Sequence, residues 1–327
     1  MLKSFISFFA VILLSHTAQA IWTTIDLPDR LSYESTAMSH LSDGRLLYAH
    51  DGNIYRQSAF GSSSTVAFSN APSGAYSFVT GNGFIGVGSF GGSAPIYSFN
   101  AGDSNAPFTN SGSIQSYTGA TYENDSILTV GINGDREESS VSEVGIYSRS
   151  GMYTTIVSNV STYSGGIAWS GDTLYVADND DTRIYSFSSS QVSSAINGAE
   201  LSIENGTFIT NLGVSGSIAV DSEGRIFASG YQSSGIQVYD PSAQTTGSLF
   251  SNDAGASYTV GTFSNGSNNY IAWLNAEGYS AGDGITYGYA LEANVPVPEP
   301  ANYGLFMCII AIAFVLCRRL GDYKKNL

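Results

Sequence analysis

Residues 166–177 read GIAWSGDTLYVA, and residues 217–228 give a near-copy, SIAVDSEGRIFA. In both stretches an apolar run is followed by a polar turn and a second apolar run. The Gly-Asp and Glu-Gly pairs in these turns supply the positive backbone angles that a tight hairpin needs. A third run follows each copy, RIYSF at 183–187 and IQVY at 236–239. The repeated phrase therefore predicts antiparallel sheets built from consecutive strands.

A tyrosine in the third run marks six such units along the chain. Consecutive marker tyrosines are separated by 42, 50, 38, 54 and 48 residues, and they are Tyr55, Tyr97, Tyr147, Tyr185, Tyr239 and Tyr287. Units of about 40–50 residues with four short strands each are typical of β-propeller blades, whereas a β-sandwich would not repeat a phrase at this spacing. Fourth strands are predicted after the third runs, for example at 65–68, 154–157 and 207–210.

The sixth unit ends at Leu291 and leaves no room for a fourth strand before Pro296. Residues 21–27, IWTTIDL, have the missing pattern, so we expect them to pair with the last unit. Closure of this kind removes exposed sheet edges without disulfide bonds. The expected fold is therefore all-β, a six-bladed β-propeller over residues 21–294 that is closed by its N-terminal strand. We call residues 21–294 the body.

The first 20 residues predict a cleaved secretory signal peptide. Lys3 precedes an apolar run from Phe5 to Leu14, and the small residues Ala18 and Ala20 end the segment. A positive start, a short hydrophobic core and an A-x-A ending are what a signal peptidase recognises. The alternative is a short buried helix. The mature chain is expected to start near Ile21, outside the cytoplasm.

The C-terminal residues predict a membrane anchor in three parts. Residues 295–300 form a Pro-Glu-Pro linker, 301–317 an apolar helix, and 318–327 a basic cytoplasmic tail. A 17-residue helix spans roughly 26 Å, which is short but sufficient for a bilayer core. Because cationic residues stay on the cytoplasmic side, the body is expected on the other side of the membrane.

This order of segments resembles the PEP-CTERM sorting domain of Gram-negative bacteria. The residues that fit the pattern are Pro298, Glu299, Pro300, Arg318 and Arg319, although Ala301 stands where a Ser or Thr often follows. The resemblance implies that an exosortase recognises the tail and cleaves near the Pro-Glu-Pro. It also implies a body that is anchored in the inner membrane before processing and lies at the cell surface or outside the cell afterwards. Exopolysaccharide and other surface proteins are the partners that it suggests.

The charge of the body argues against nucleic acid and anionic lipid as partners. Between residues 21 and 298 there are seven arginines, no lysine and 25 acids, so the formal charge is 7 − 25 = −18. Such a surface repels nucleic acid and anionic lipid, and it suits divalent cations. Both cysteines, Cys308 and Cys317, lie in the apolar C-terminal run, so the body has no disulfide framework.

Few residues of the body suggest a catalytic or metal site. His40 and His50 could face a central channel, or they could have structural roles. Asp178, Asp180 and Asp181 place hard oxygen ligands at close spacing in one loop, which could bind calcium; pairing of Asp180 or Asp181 with Arg183 is the alternative. A second acidic loop, with Asp135, Glu137 and Glu138, is expected to be solvated.

The repeat units also resemble NHL-type and lactonase-type propellers. The lactonase resemblance implies a metal held at the channel mouth by carboxylate and amide side chains from different blades. No spacing in this sequence places three such ligands together, so catalytic residues are not assigned. The three tryptophans, Trp22, Trp169 and Trp273, could stack on sugar rings, but packing between blades is the expected role of most aromatic residues.

Three functions remain open on the sequence. The leading expectation is a non-enzymatic surface or extracellular-matrix protein with a binding or structural role linked to exopolysaccharide. The first alternative is a propeller hydrolase or lyase that acts on sugars or lactones. The second alternative is a platform for protein interactions.

Overall fold

The structure is a computed structural model of the 327-residue chain. It describes residues 22–27, 38–50, 52–69, 75–81, 84–89, 97–100, 109–110, 114–121, 126–133, 141–148, 152–161, 166–178, 183–213, 217–229, 235–251, 256–266, 268–276 and 285–295. The predicted signal peptide, the Pro-Glu-Pro motif, the apolar C-terminal run and the basic tail lie outside these residues.

The described residues are almost entirely strands. In chain order these are β1 (Trp22–Leu27), β2 (Met38–His40), β3 (Leu46–His50), β4 (Asn53–Gln57), β5 (Ser64–Ser69), β6 (Ala75–Gly81), β7 (Phe84–Ser89), β8 (Tyr97–Asn100), β9 (Thr109–Asn110), β10 (Ile114–Thr121), β11 (Ile127–Asn133), β12 (Ser142–Tyr147), β13 (Tyr153–Val160), β14 (Ile167–Ser170), β15 (Thr173–Asp178), β16 (Arg183–Ser188), β17 (Thr207–Asn211), β18 (Ser217–Val220), β19 (Ile226–Ser229), β20 (Gly235–Asp240), β21 (Thr245–Ser251), β22 (Ala256–Asn265), β23 (Asn268–Ala276) and β24 (Ile285–Leu291). One helix, α1 (Ser189–Ile196), and two 3-10 turns (Ile203–Asn205 and Glu292–Asn294) complete the described elements.

The strands form four-stranded antiparallel sheets, which we number in chain order. The first five sheets use consecutive strands: β2–β5, β6–β9, β10–β13, β14–β17 and β18–β21. The sixth has the order β22-β23-β24-β1, in which β1 pairs with β24 from Trp22 opposite Ala290 to Leu27 opposite Ile285. The N-terminal strand thus occupies the outer position of the last sheet. Each marker tyrosine lies on the third strand of a different sheet.

The hairpin turns have the geometry that their sequences predict. Gly171 (φ 56°) and Gly224 (φ 81°) adopt positive φ, and so does Gly44 (φ 82°) in the corresponding Asp-Gly turn of the first sheet. Residues other than glycine rarely adopt this region, so these positions fix the register of the first hairpin in three sheets. The predicted turns are confirmed.

The first strands of the sheets contact one another in sequence. β2 contacts β6, β6 contacts β10, β10 contacts β14, β14 contacts β18, β18 contacts β22, and β22 contacts β2. Side-chain hydrogen bonds connect β18 with β22. The Ser217 hydroxyl donates to the Val260 carbonyl, and the Thr262 hydroxyl donates to the Val220 carbonyl, each at 3.2 Å. The architecture is all-β and propeller-like.

The core is divided into clusters that lie between neighbouring sheets. One cluster joins the third and fourth sheets, where helix α1 adds Val192 and Ala195. Others join the fourth sheet to the fifth, the fifth to the sixth, and the sixth to the first. A fully buried Leu or Phe side chain stabilises the folded state by about 1.5–3 kcal/mol because it leaves water. These clusters therefore hold neighbouring sheets together, and we call each such contact between two sheets a joint.

The boundary of the body differs from the prediction by one residue. Val295, expected to begin the linker, is only 4% exposed and packs between the fifth and sixth sheets. Residues 296–327, with Pro298, Glu299, Pro300, Arg318 and Arg319, lie outside the described part of the chain. Among the described residues, no helix is long and apolar enough to span a membrane.

Candidate functional site

The two ends of the sheets carry different candidate residues. The hairpins between first and second strands, at 41–45, 171–172 and 221–225, lie at one end, which we call the hairpin end. The second strands run away from these hairpins, so His50 and Asp178 lie at the opposite end. We call that the loop end. The candidate residues from the sequence are therefore divided between two surfaces.

Asp178 is the acidic residue of the candidate calcium loop that the structure describes. It ends β15, is 8% exposed and lies opposite Arg183 in the strand register. Its Oδ1 accepts the Ser161 backbone N–H at 3.0 Å and also the Ser161 hydroxyl. Ser161 follows β13 of the third sheet, so Asp178 connects the third and fourth sheets at the loop end. Asp180 and Asp181 lie outside the described residues, and calcium binding stays a prediction.

The lactonase resemblance implies a metal held by carboxylate and amide side chains. Within the described ranges, no group of three or more His, Cys, Asp or Glu side chains could hold a metal ion. Two acids at the hairpin end pair with arginines instead: Asp43 with Arg45 at 2.7 Å and Asp221 with Arg225 at 2.6 Å. Asp135, Glu137 and Glu138 of the second acidic loop are outside the description.

His40 lies in the joint between the first and sixth sheets and does not face a channel. Its Nε2 is 2.9 Å from the Tyr287 hydroxyl, and its ring stacks on Phe263 at 4.0 Å with an interplanar angle of 10°. Phe263 in turn stacks on Tyr270 at 5.0 Å. Burial lowers the pKa of His40 to about 3. Of the two roles that the sequence left open for His40, these contacts favour the structural one, because its side chain is part of the packing between sheets.

His50 also has a packed environment. Its side chain is 7% exposed, and its ring lies 6.0 Å from Tyr55 on the neighbouring strand of the same sheet. Tyr55 itself stacks on Tyr48 at 5.2 Å. This surrounding favours the structural role that the sequence left open.

Several of the described aromatic residues pack between sheets. Trp273 is 2% exposed, and Trp169 packs partly buried against the joint of the third and fourth sheets. Phe60, from the turn between β4 and β5, contacts Tyr270 and Tyr289 with ring centroids 5.2 Å and 5.0 Å apart. These three rings therefore pack between the first and sixth sheets.

We expect acid to destabilise the body through His40. The folded protein keeps this imidazole neutral down to about pH 3, whereas the unfolded chain protonates it near 6.5. The unfolded state thus binds one more proton between these values, so stability is full above pH 6.5 and falls as the pH drops. Between pH 6.5 and pH 5 this loss is at most about 2 kcal/mol. Denaturant unfolding of the wild type and His40→Phe at both pH values measures it.

The His40→Phe variant keeps a stacking ring but cannot titrate. Its stability is therefore expected to change less than that of the wild type between the two pH values. Equal pH dependence of the two proteins would contradict the assignment of the loss to His40.

One functional feature was not predicted from the sequence. Arg225 is 2% exposed and forms a buried cluster at the hairpin end with Asp221, Ser222 and the backbone at Glu292 and Val295. Asp221 and Arg225 were visible as part of the repeated phrase. Their partners are 67 to 70 residues away in the sequence, so only the assembled sheets bring them together.

Comparison with known proteins gives the type of propeller. A family model described as "SMP-30/Gluconolactonase/LRE-like region" matches residues 120–257, which include both copies of the repeated phrase. A luciferin-regenerating enzyme is similar in structure with a TM-score of 0.61 and 11% identity, over 83% of this chain and 95% of that chain. The gluconolactonase XC5397 from Xanthomonas campestris has a TM-score of 0.60 and 12% identity, over 85% and 93%. The PQQ-bound aldose sugar dehydrogenase from Streptomyces coelicolor has a TM-score of 0.54 and 12% identity, over 84% and 99%.

A search of curated proteins found no match to the chain. The expectation of a non-enzymatic surface or matrix protein is wrong. It is overturned by the match of residues 120–257 to a region that is named for gluconolactonase. At 11–12% identity the structural neighbours establish the fold alone. Residues 120–257 are thus similar to the SMP-30/gluconolactonase region, and the chain has a β-propeller-like fold that is similar to the structures of such proteins.

Proposed function

We propose that the body is a propeller hydrolase that opens lactones derived from sugars. The observation that carries this proposal is the family match over residues 120–257. The extent of the structural likeness supports it, since nearly the whole length of the known gluconolactonase corresponds to this chain. The proposal takes up the enzymatic alternative that the sequence left open.

The charge of the body is compatible with this reaction. In lactone hydrolysis water adds to the ring carbonyl, the ring C–O bond breaks, and a hydroxy acid is formed. The substrate is neutral, whereas the product is an anion at neutral pH. A body with a formal charge of −18 does not repel the substrate, and it disfavours retention of the anionic product.

The chemistry requires a group that accepts a proton from water and a group that stabilises the oxyanion of the tetrahedral intermediate. We place both at the loop end, where Asp178 ends the second strand of the fourth sheet. Asp178 is a described acid at this end. We propose that Asp178, Asp180 and Asp181 together bind calcium there, with Asp178 orienting the segment through its two bonds to Ser161.

The test is release of acid from glucono-δ-lactone and a panel of related aldonolactones by the purified full chain. Because lactones also open spontaneously, the rate with heat-unfolded protein is subtracted. Each lactone is tested with calcium, magnesium, manganese and zinc, and with a chelator. We expect saturable hydrolysis orders of magnitude above the spontaneous rate, dependent on a divalent cation.

The Asp178→Asn variant distinguishes a role in cation binding from a general need for the fold. It removes the charge and keeps the size of the side chain and an oxygen that can accept from Ser161, so we expect weaker calcium dependence of the rate and only a small change in the melting temperature in chelator. A folded wild-type protein that hydrolyses none of the lactones with any of the four cations would refute the proposed function.

We also propose that the six described sheets are the blades of a six-bladed ring that β1 closes. The sequential contacts of the first strands, from β2 to β22 and back to β2, support this arrangement. The packing of Met38 and Leu46 against Leu274 and Tyr287, between the first and sixth sheets, supports it as well.

Export of the protein is a proposal that rests on the sequence. We propose that residues 1–20 direct the chain out of the cytoplasm and that an exosortase-type enzyme acts at Pro298, Glu299 and Pro300. Arg318 and Arg319 would then remain on the cytoplasmic side of the inner membrane. Exopolysaccharide and surface proteins at the final location stay predicted partners.

A further inference from the structure

The chain does not leave the body as a loose linker after its last strand. β24 ends at Leu291, and residues 292–294 form a single 3-10 turn in which the Val295 N–H donates to the Glu292 carbonyl at 3.1 Å. The Val295 side chain then enters the joint between the fifth and sixth sheets, where it packs in one cluster with Phe227 and Trp273. We call residues 292–295 the C-terminal latch.

Arg225 holds the backbone of this latch. Its Nη1 donates to the Val295 carbonyl at 3.1 Å, and its Nη2 donates to the Glu292 carbonyl at 2.9 Å. Its Nε donates to Asp221 Oδ2 at 2.6 Å, and Asp221 Oδ1 accepts the Arg225 backbone N–H at 2.8 Å. Asp221 therefore neutralises and orients the guanidinium, which leaves its other two nitrogens aimed at the latch. The planar fork of arginine is suited to holding several acceptors at once.

A second attachment comes from the side chain of Glu292. Its Oε2 accepts the Ser222 hydroxyl at 2.5 Å and lies 3.4 Å from the Ser222 backbone nitrogen. Glu292 is 6% exposed, and this burial raises the pKa of its carboxyl group. Ser222 and Arg225 belong to the same hairpin between β18 and β19. One hairpin of the fifth sheet thus holds the latch at both its side chain and its backbone.

We infer that the hairpin at 221–225 clamps residues 292–295, so that the chain is fixed to the fifth sheet at the hairpin end as far as Val295. Asp178 and His50 lie at the opposite end. Cleavage of the tail beyond Val295 leaves the clamp whole, whereas loss of the latch opens the joint between the fifth and sixth sheets. The inference does not depend on the proposed hydrolase activity.

Hydrogen exchange of the full chain, read by mass spectrometry, tests the clamp. In the wild type, peptides that cover residues 292–296 should keep one slowly exchanging amide, that of Val295, which donates to the Glu292 carbonyl. Arg225→Lys keeps the charge but cannot hold both carbonyls, so exchange in these peptides should rise roughly tenfold, while the fourth sheet stays unchanged. Ser222→Ala removes the bond to the Glu292 side chain and should raise exchange by a few-fold.

Glu223→Gln is the matched control. Glu223 lies in the same hairpin, 3.6 Å from Arg225 Nε, but its side chain is 63% exposed. We expect exchange at 292–296 to stay within about twofold of the wild type in this variant. If Arg225→Lys does not fold, Ser222→Ala alone decides the question. Exchange at 292–296 that is unchanged in every variant that folds, or that rises equally in Glu223→Gln, would overturn the clamp.

Discussion

Removal of residues 21–27 from the mature chain is expected to abolish the cooperative unfolding transition of the body. These residues contain β1, which supplies the outer strand of the sixth sheet through six consecutive residue pairs with β24. Ile25 also packs against the cluster that joins the first and sixth sheets. Their loss exposes the edge of β24 and uncovers that joint. The expected cost exceeds about 5 kcal/mol, which is comparable with the whole stability of a typical domain.

Thermal unfolding monitored by circular dichroism measures this effect. Thr23→Ala is the matched control, because Thr23 lies in the same strand with an exposed side chain, and its replacement should change stability by no more than about 0.5 kcal/mol. A cooperative transition of the truncated protein at the wild-type temperature would show that β1 does not close the body.

Gly288→Ala is expected to destabilise the body by about 3 kcal/mol, at the upper end of the usual cost of overpacking. Gly288 lies directly opposite Trp273 in the register of β23 and β24. A Cβ at this position would come within 2.6 Å of Trp273 Cζ2 and closer still to Cε2 and Nε1. Trp273 is 2% exposed and packed between the fifth and sixth sheets, so its ring has no free space into which to move.

Gly261→Ala in the same sheet provides the comparison. A Cβ at Gly261 meets only Met38 Cε, at 3.7 Å, which is an ordinary van der Waals contact. Denaturant unfolding of both variants should therefore show a large loss of free energy for Gly288→Ala and a small change for Gly261→Ala. Equal stability of the two variants would mean that Trp273 does not occupy the space above Gly288.

Local sequence signals account for most of what could be predicted of the fold. The hairpin turns depend on glycines with positive φ, and Gly44, Gly171 and Gly224 occur where the repeated phrase places them. The strand after each marker tyrosine follows from the same period, so the expected strands at 154–157 and 207–210 lie within β13 and β17. The pairing of β1 with β24 could be predicted because the last unit lacked a fourth strand.

Features that depend on an insertion were harder to predict. The spacing of 54 residues between Tyr185 and Tyr239 is explained by α1 and a 3-10 turn between β16 and β17. Helix α1 begins with a capping box formed by Ser188 and Gln191, but its Ser-rich sequence has little intrinsic helix preference. Contacts of Val192 and Ala195 with the neighbouring sheet stabilise it. Such tertiary contacts cannot be read from the local pattern.

The site was predicted less well because side-chain positions depend on contacts between distant segments. His40 could have lined a channel on the sequence alone. Its hydrogen-bond partner Tyr287 is 247 residues away, so the position of the ring between the first and sixth sheets could not be predicted from the local sequence. Arg225 was seen only as part of a turn, whereas its contacts with Val295 and Glu292 give it a role in holding the C-terminal latch. Enzymatic activity was ranked below a matrix role because the sequence offers no clustered catalytic set.

The most direct measurement for the proposed function is the initial rate of acid release from glucono-δ-lactone by the folded full chain, in calcium and in chelator. A catalysed rate that saturates with substrate and is lost in chelator is the predicted result. A rate in calcium equal to that of heat-unfolded protein, from a sample whose unfolding transition shows an intact fold, would contradict hydrolysis of this lactone. The same result with all the aldonolactones and all four cations would contradict the proposed function as a whole.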